Sequence, residues 1–134
     1  MIPKAGFDTC PGTLHQHLPD VVGHDGHRIA PVVFAQHQVN LAPRSRLATV
    51  LGQLINATTY HHQAIHELGH GVSPVGWADD GTIEAIEIAE RSFAVGVQWH
   101  PEESEDATLF SALVGHAVEK MEEGRYERGG ASPK

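Results

Sequence analysis

The sequence lacks, or has little of, several features that are typical of particular classes of protein. A single cysteine among 134 residues excludes an internal disulfide, so a reducing, cytoplasmic location is expected. No apolar run approaches the roughly 18 residues of a membrane span, and residues 1–10 have no apolar stretch long enough for a secretory signal. Basic residues number 9 against 17 acidic ones, for a net charge of -8. Neither nucleic acid nor an anionic membrane surface is therefore expected as a partner.

The overall composition of the chain is typical of one globular domain. Hydrophobic residues make up 40% of the chain and charged residues 19%, which suits a folded domain with a modest core. We interpret residues 1–11 as an irregular arm, residues 12–123 as the domain and residues 124–134 as a flexible tail. Eleven histidines are many for this length, and they call for an explanation.

Apolar periodicity predicts an α/β order of elements with few helices. Strands are expected, in chain order, over residues 31–41, 54–60, 72–78, 82–88 and 93–99. Asp80 and Gly81 suit a tight turn, so the third and fourth of these strands should form a hairpin. Glu84 and Glu87 are assigned to polar positions of that hairpin.

Two helices are expected between and after these strands. Ser45 is a good N-cap for a short helix that ends at Gly52. The second helix should cover residues 103–123, with acidic residues in its first turn, where negative charge is favourable. Its apolar side chains fall on one stripe at helical spacing and are expected in the core. They are Phe110, Leu113, Ala117 and Met121.

Residues 95–102 (VGVQWHPE) are the most informative stretch, because an apolar strand ends there in a histidine, a proline and a glutamate. Residues two apart in an extended segment point to the same side, with about 7 Å between Cα atoms. Glu102 can therefore reach the His100 ring and set its tautomer, which leaves His100 to take a proton from a nucleophile. The alternative is that Glu102 only favours the start of the following helix.

The same stretch resembles the C-terminal signature of class I glutamine amidotransferases, and most closely the γ-glutamyl-γ-aminobutyrate hydrolase (peptidase C26) branch. Five further stretches resemble that branch in the same order, without large gaps. They are residues 12–16 (GTLHQ), 45–48 (SRLA), 61–65 (HHQAI), 68–71 (LGHG) and 80–87 (DGTIEAIE). The resemblance runs from about Gly12 to Glu102 and covers only the C-terminal half of such a protein.

The resemblance implies both a fold and a set of roles. The fold is a partial flavodoxin-like α/β sheet with an added β-hairpin and a C-terminal helix. In the Cys-His-Glu triad of this family, His100 is the general base and Glu102 orients it. His61, His62 and Gln63 match the segment that helps to hold the glutamyl end of the substrate. That substrate is a γ-glutamyl amide or glutamine, and no cofactor and no metal are expected.

The nucleophile of the family is not found in this sequence. It would lie in a Gly-x-Cys-x-Gly turn before the Gly-Thr-Leu motif, and the eleven residues before Gly12 contain no such turn. Cys10 is a poor substitute, because the residue after a nucleophile donates its backbone N–H to the oxyanion and Pro11 has none. The chain is therefore expected to be inactive alone.

Two other readings stay open. The first is a non-catalytic or degenerate domain that binds a partner, since half a sheet leaves unpaired edges. The hydrolase fragment and the non-catalytic domain would both expose these edges, so each predicts a homodimer or a complementary N-terminal-half chain as partner.

The second alternative is a zinc-binding hydrolase, because residues 66–70 read HELGH and would place His66 and His70 on one face of a helix. Gly69 and Gly71 make that helix doubtful.

Overall fold

The computed structural model describes residues 12–31 and 33–130 of the chain. The predicted N-terminal arm, and Cys10 with it, lie outside these residues. Within them the elements are, in chain order, β1 (Thr13–His15), α1 (Pro19–Val22), β2 (Ala35–Leu41), α2 (Arg46–Leu51), β3 (Leu54–Thr59), β4 (Ala64–Glu67), β5 (Val72–Ala78), β6 (Ile83–Ile88), β7 (Val95–Val97), a 3-10 turn (Pro101–Glu103) and α3 (Thr108–Gly130).

The strands form two sheets in which every neighbouring pair is antiparallel. β1 pairs with β4, and the larger sheet has the order β3-β2-β5-β6-β7. The predicted α/β class, with a β-hairpin and a C-terminal helix, is confirmed and is compatible with a partial flavodoxin-like fold. The short strands β1 and β4 were not predicted, because each is stabilised by a partner about fifty residues away rather than by a local pattern.

The β5–β6 hairpin forms where the sequence predicts it. Ala78 and Thr82 close the turn, with Ala78 N donating to Thr82 O at 3.0 Å. Gly81 has a φ of 85°, a left-handed conformation that glycine adopts without steric cost. Gly76 on β5 is needed for another reason, since a Cβ there would lie 2.7 Å from Leu41 Cδ2 and 2.8 Å from Ala85 Cβ.

Helix α2 is held across the end of this hairpin. Its N-cap is Ser45, as predicted, and Ser45 Oγ accepts a hydrogen bond from Ala48 N at 3.0 Å. Leu47 N donates to Glu87 Oε1 at 2.8 Å. Glu87 is buried, so its expected role as a plain polar position of the hairpin is wrong. It satisfies a free N–H at the start of α2.

The core lies between α2 and one face of the larger sheet. Its buried members are Val39, Leu41, Leu47, Ala48, Ala57, Val75, Ala85 and Trp99. Leu109, in the first turn of α3, packs against this group from the edge. Trp99 therefore anchors the chain next to His100, and the core fixes where the segment after β7 begins.

Helix α3 differs from its prediction in both its limits and its burial. It begins at Thr108 and continues to Gly130, so the part of the predicted tail up to Gly130 is helical. The predicted core stripe is wrong: Phe110 is 44% exposed, Leu113 52% and Met121 64%. An apolar stripe indicates which face of a helix needs a packing partner, but not whether the same chain supplies that partner.

Within the described part of the chain, no helix is both long and apolar enough to cross a membrane.

Candidate functional site

His100 and Glu102 meet just after β7. His100 N donates to Thr58 O at 2.8 Å, which ties this segment to β3. Pro101 opens the 3-10 turn, and the turn carries Glu102 back towards the imidazole. His100 Nδ1 lies 2.6 Å from Glu102 Oε1. A carboxylate at Nδ1 favours the tautomer with the proton on that nitrogen and leaves Nε2 with its lone pair.

The pair is partly open to solvent, so a dissolved molecule can reach it. The His100 side chain is 23% exposed and that of Glu102 56%. The hydrogen bond from His100 holds the pKa of Glu102 below its ordinary value. Glu102 is thus a carboxylate at neutral pH, the form that can orient and stabilise an imidazolium.

An aromatic wall beside His100 was missed by the sequence analysis. The Phe34 ring meets the imidazole edge-on, with 5.3 Å between ring centroids, and the Tyr60 ring lies 5.5 Å from Phe34. The guanidinium carbon of Arg28 lies 5.0 Å from the centroid of Tyr60. Phe34 immediately precedes β2 and Tyr60 immediately follows β3, so neighbouring strands bring these rings together. No sequence motif marks this non-local pairing.

The residues His61, His62 and Gln63 link β3 to β4. The strand β4 begins at Ala64, so this link is a short loop. His62 is exposed. Gln63 Nε2 donates to Gln16 Oε1 at 2.9 Å, which ties this loop to the Gly-Thr-Leu segment.

His61 turns away from its two neighbours and into the protein. Its Nδ1 lies 2.8 Å from Gln63 O, and its Nε2 lies 3.2 Å from Glu84 Oε1. His61 N also donates to His27 O at 2.9 Å. Its side chain is only 9% exposed. His61 therefore holds the loop from its buried side, whereas His62 and Gln63 are the loop residues nearer to solvent.

Glu84 is the centre of a histidine cluster that the sequence analysis did not predict. It is fully buried, so its assignment as a plain polar hairpin position is wrong. Its Oε1 lies 3.0 Å from His27 Nδ1, 3.8 Å from His37 Nε2 and 3.2 Å from His61 Nε2. On the other side of the His27 ring, Nε2 lies 2.6 Å from Asp80 Oδ2. Four of the eleven histidines, His24 included, lie around these two acids.

Charge balance explains how a carboxylate is tolerated in this interior. Burial alone would raise the pKa of Glu84, but contact with His27 and His61 outweighs it and lowers that pKa. Burial would lower the pKa of His27, yet Glu84 and Asp80 together raise it. For His37 the effect of burial is the largest, and it lowers the pKa of this residue. Buried ionised groups persist only when partners of this kind compensate the loss of water.

The HELGH stretch is not helical, in line with the doubt that its glycines raised. His66 lies on β4, and Glu67 ends that strand. The His66 ring packs against His15, with 4.3 Å between centroids. His70 follows in the turn before β5. In an extended segment and a turn, the two histidines do not share the helical face that a zinc-binding HExxH needs.

Comparison with known proteins identifies the family. The profile of the Peptidase C26 family matches residues 9–102, which include every one of the sequence stretches described above. The chain belongs to the peptidase C26 family and is a glutamine amidotransferase-like domain.

Three relatives illustrate the similarity. "Putative glutamine amidotransferase Rv2859c" of Mycobacterium tuberculosis is 48% identical over 107 residues, covering 79% of this chain and 35% of that protein. "Protein NtpR" of Enterococcus hirae is 35% identical over 77% of this chain and 47% of its own length. "Gamma-glutamyl-gamma-aminobutyrate hydrolase PuuD" of Escherichia coli is 28% identical over 68% of this chain and 39% of its own length. The chain thus spans less than half the length of each of these relatives.

Proposed function

We propose that this chain supplies the His-Glu part of a Cys-His-Glu centre that hydrolyses γ-glutamyl amides or glutamine. The observation that carries the proposal is the 2.6 Å contact between His100 Nδ1 and Glu102 Oε1. His100 is the general base and Glu102 orients it. The names of the relatives, a glutamine amidotransferase and a γ-glutamyl-γ-aminobutyrate hydrolase, support this class of substrate.

The chemistry follows from one imidazole that takes and returns a proton. His100 Nε2 accepts the thiol proton while the sulfur attacks the γ-carbonyl carbon of the substrate. The resulting imidazolium, stabilised by Glu102, gives that proton to the leaving nitrogen, so that ammonia or an amine departs and a γ-glutamyl thioester remains. His100 then takes a proton from water while the resulting hydroxide attacks the thioester carbonyl. Collapse of this intermediate releases glutamate, and the imidazolium returns its proton to the departing thiolate, which regenerates the thiol.

We propose that the thiol comes from a segment other than this chain, which is then inactive alone. Cys10 is the one cysteine of the sequence, and Pro11 after it has no N–H to offer an oxyanion. A base without its nucleophile has nothing to activate, however well it is oriented.

Substrate contacts are assigned to the loop between β3 and β4. His62 and Gln63 are its more exposed members, and they are proposed to hold the glutamyl end of the substrate. His61 belongs to the same segment but is directed at Glu84, so it is proposed to position the loop.

The test is a fusion that supplies the proposed missing thiol. The portion of the M. tuberculosis relative that precedes its match to this chain would be joined ahead of Gly12, and ammonia release from glutamine and amine release from γ-glutamyl-p-nitroanilide would be measured. We expect no activity from the chain alone and turnover from the fusion. His100→Ala should reduce kcat of the fusion at least ~100-fold, as loss of a general base does.

Matched variants show whether that loss is specific. His70→Ala removes another histidine that is exposed and should leave kcat unchanged. Glu102→Gln keeps the shape of the orienting side chain but removes its charge, and it should lower kcat with little effect on KM. Turnover by the unfused chain, or an active His100→Ala fusion, would contradict the proposal.

A second candidate function, partner binding without catalysis, is favoured by the exposed side of α3. Its exposed apolar residues lie at successive turns and are 44–64% accessible. They are Phe110, Leu113, Val114, Val118 and Met121. A face of this kind on a folded domain indicates a contact surface, and a homodimer or a complementary chain would both cover it. Light scattering over a concentration series tests this candidate, since a strictly monomeric chain would rule out the homodimer.

A further inference from the structure

The histidine cluster around Glu84 lies at one wall of an open pocket of about 350 Å³. His27 and His37 line this pocket, together with His24 and Asp80. Glu84 lies behind them, fully buried. No part of the proposed hydrolase mechanism uses His27, His37 or Asp80, so their arrangement calls for a separate account.

Three polar atoms at the centre of the cluster lack hydrogen-bond partners within the described residues. They are His27 Nδ1, His37 Nε2 and Glu84 Oε2. His27 Nδ1 and Glu84 Oε1 are close, at 3.0 Å, but they do not have hydrogen-bond geometry. Buried polar groups are nearly always satisfied, and a group that is not calls for a bound water or ion.

The spacing of the ligand atoms suits a metal ion. One atom from each of His27, His37 and Glu84 lies within 4.8 Å of the other two. Ligands at about 2.0–2.2 Å from a tetrahedral zinc are separated from one another by roughly 3.3–3.6 Å. The distances from Glu84 Oε1, 3.0 Å to His27 Nδ1 and 3.8 Å to His37 Nε2, bracket that value.

Asp80 supplies the outer contact that metal-bound histidines need. Its Oδ2 accepts from His27 Nε2 at 2.6 Å, while its Oδ1 accepts from Thr82 N at 3.0 Å. A proton held on Nε2 leaves Nδ1 as the ligand atom, and Nδ1 is the nitrogen that faces Glu84 and His37. Carboxylate–histidine pairs orient ligands in this way in many metal sites.

We propose that His27, His37 and Glu84 form a binding site for a first-row divalent cation, with Zn²⁺ as its representative. Two imidazoles and one carboxylate are a common ligand set for zinc, and three protein ligands leave a coordination position open. Because His27 and His37 line the pocket, water or a small anion from it could occupy that position. The site departs from the expectation of no metal and does not use the HELGH stretch. It also shares no ligand with His100 and Glu102, so it does not rest on the proposed hydrolase function.

The site would join three parts of the fold that are distant in sequence. His27 lies in the loop after α1, His37 on β2 and Glu84 on β6. A bound cation would therefore fix this loop against the sheet and raise the thermal stability of the chain, because it binds only the folded form.

The test uses the whole chain, freed of metal with a chelator and titrated with Zn²⁺ by calorimetry. We expect one equivalent to bind, an increase in Tm, and visible d–d absorption when Co²⁺ replaces Zn²⁺. His37→Ala should weaken binding at least ~100-fold, since the loss of an outer contact alone costs 10–100-fold. Glu84→Gln should do the same, and circular dichroism would confirm that each variant is folded.

A double variant and one measurement on the unmodified chain make the outcome decisive. His66→Ala with His70→Ala also removes histidines, and it should leave the affinity unchanged. In the unmodified chain, Zn²⁺ should shift the ring NMR signals of His27 and His37 but not those of His70. Absence of stoichiometric binding, full affinity in His37→Ala, or loss of binding only in the double variant would overturn the proposal.

Discussion

Replacing Glu87 with alanine should lower the free energy of unfolding by about 2 kcal/mol, although this residue has no proposed part in catalysis. Its Oε1 accepts a hydrogen bond from Leu47 N at 2.8 Å, and both groups are buried. A hydrogen bond to a charged group contributes about 1.5–3 kcal/mol, and its loss leaves an unsatisfied N–H at the start of α2. Because alanine fills less space as well, the loss should fall in the middle of that range or above.

Urea unfolding followed by circular dichroism measures the effect, and two variants separate its causes. Glu87→Gln keeps an acceptor at the same place and should recover more than half of the loss. Glu90→Ala removes a nearby exposed carboxylate and should change stability by no more than about 0.5 kcal/mol. The reasoning is refuted if Glu87→Ala is as stable as Glu90→Ala, or if glutamine is no better than alanine at position 87.

Three further predictions concern other parts of the fold. Leu113→Ala should cost less than about 0.5 kcal/mol in urea unfolding because the side chain is exposed, whereas a core leucine would cost about 2–5 kcal/mol. Gly81→Ala should destabilise by about 1–2 kcal/mol because its φ is positive, while Gly124→Ala within α3 should stabilise by about 0.5–1 kcal/mol; equal effects would contradict the turn geometry. The folded pKa of Glu102 is lowered, so its stabilising contribution should be present above its ordinary pKa near 4.5 and disappear as pH falls through the lower folded value. The urea midpoint of Glu102→Gln should therefore approach that of the unmodified chain as the pH is lowered from 4.5 through the folded pKa of Glu102, and a constant difference would contradict the contact.

Local features of the fold could be predicted well from the sequence. The cap at Ser45 and the Asp80-Gly81 turn depend on a few adjacent residues, and both occur as expected. The contact between His100 and Glu102 is equally local, since the two residues are separated only by Pro101. In each case the interacting residues are close together in the sequence, so the feature can be predicted from a short stretch of the chain.

Features that depend on distant partners could not be predicted in the same way. Glu84 has apolar neighbours on both sides along β6, Ile83 and Ala85, and these neighbours do not separate a solvated glutamate from one enclosed by three histidines. His37 shares a face of β2 with Val39 and Leu41, and this periodicity was the one available signal that it points inward. The prediction that the apolar stripe on α3 is buried was wrong for the opposite reason. The stripe marks an apolar face, but the described residues do not cover it.

The claim that carries the functional account is that Glu102 holds His100 with Nε2 as the free base. Two-dimensional 15N NMR of the histidine rings tests it on this chain directly, at about pH 8, where an unperturbed imidazole is neutral. We predict that the His100 ring carries its proton on Nδ1, and that Glu102→Gln shifts that signal while the His70 ring is unaffected. A His100 ring with its proton on Nε2, or one that does not respond to the change at position 102, would contradict the account.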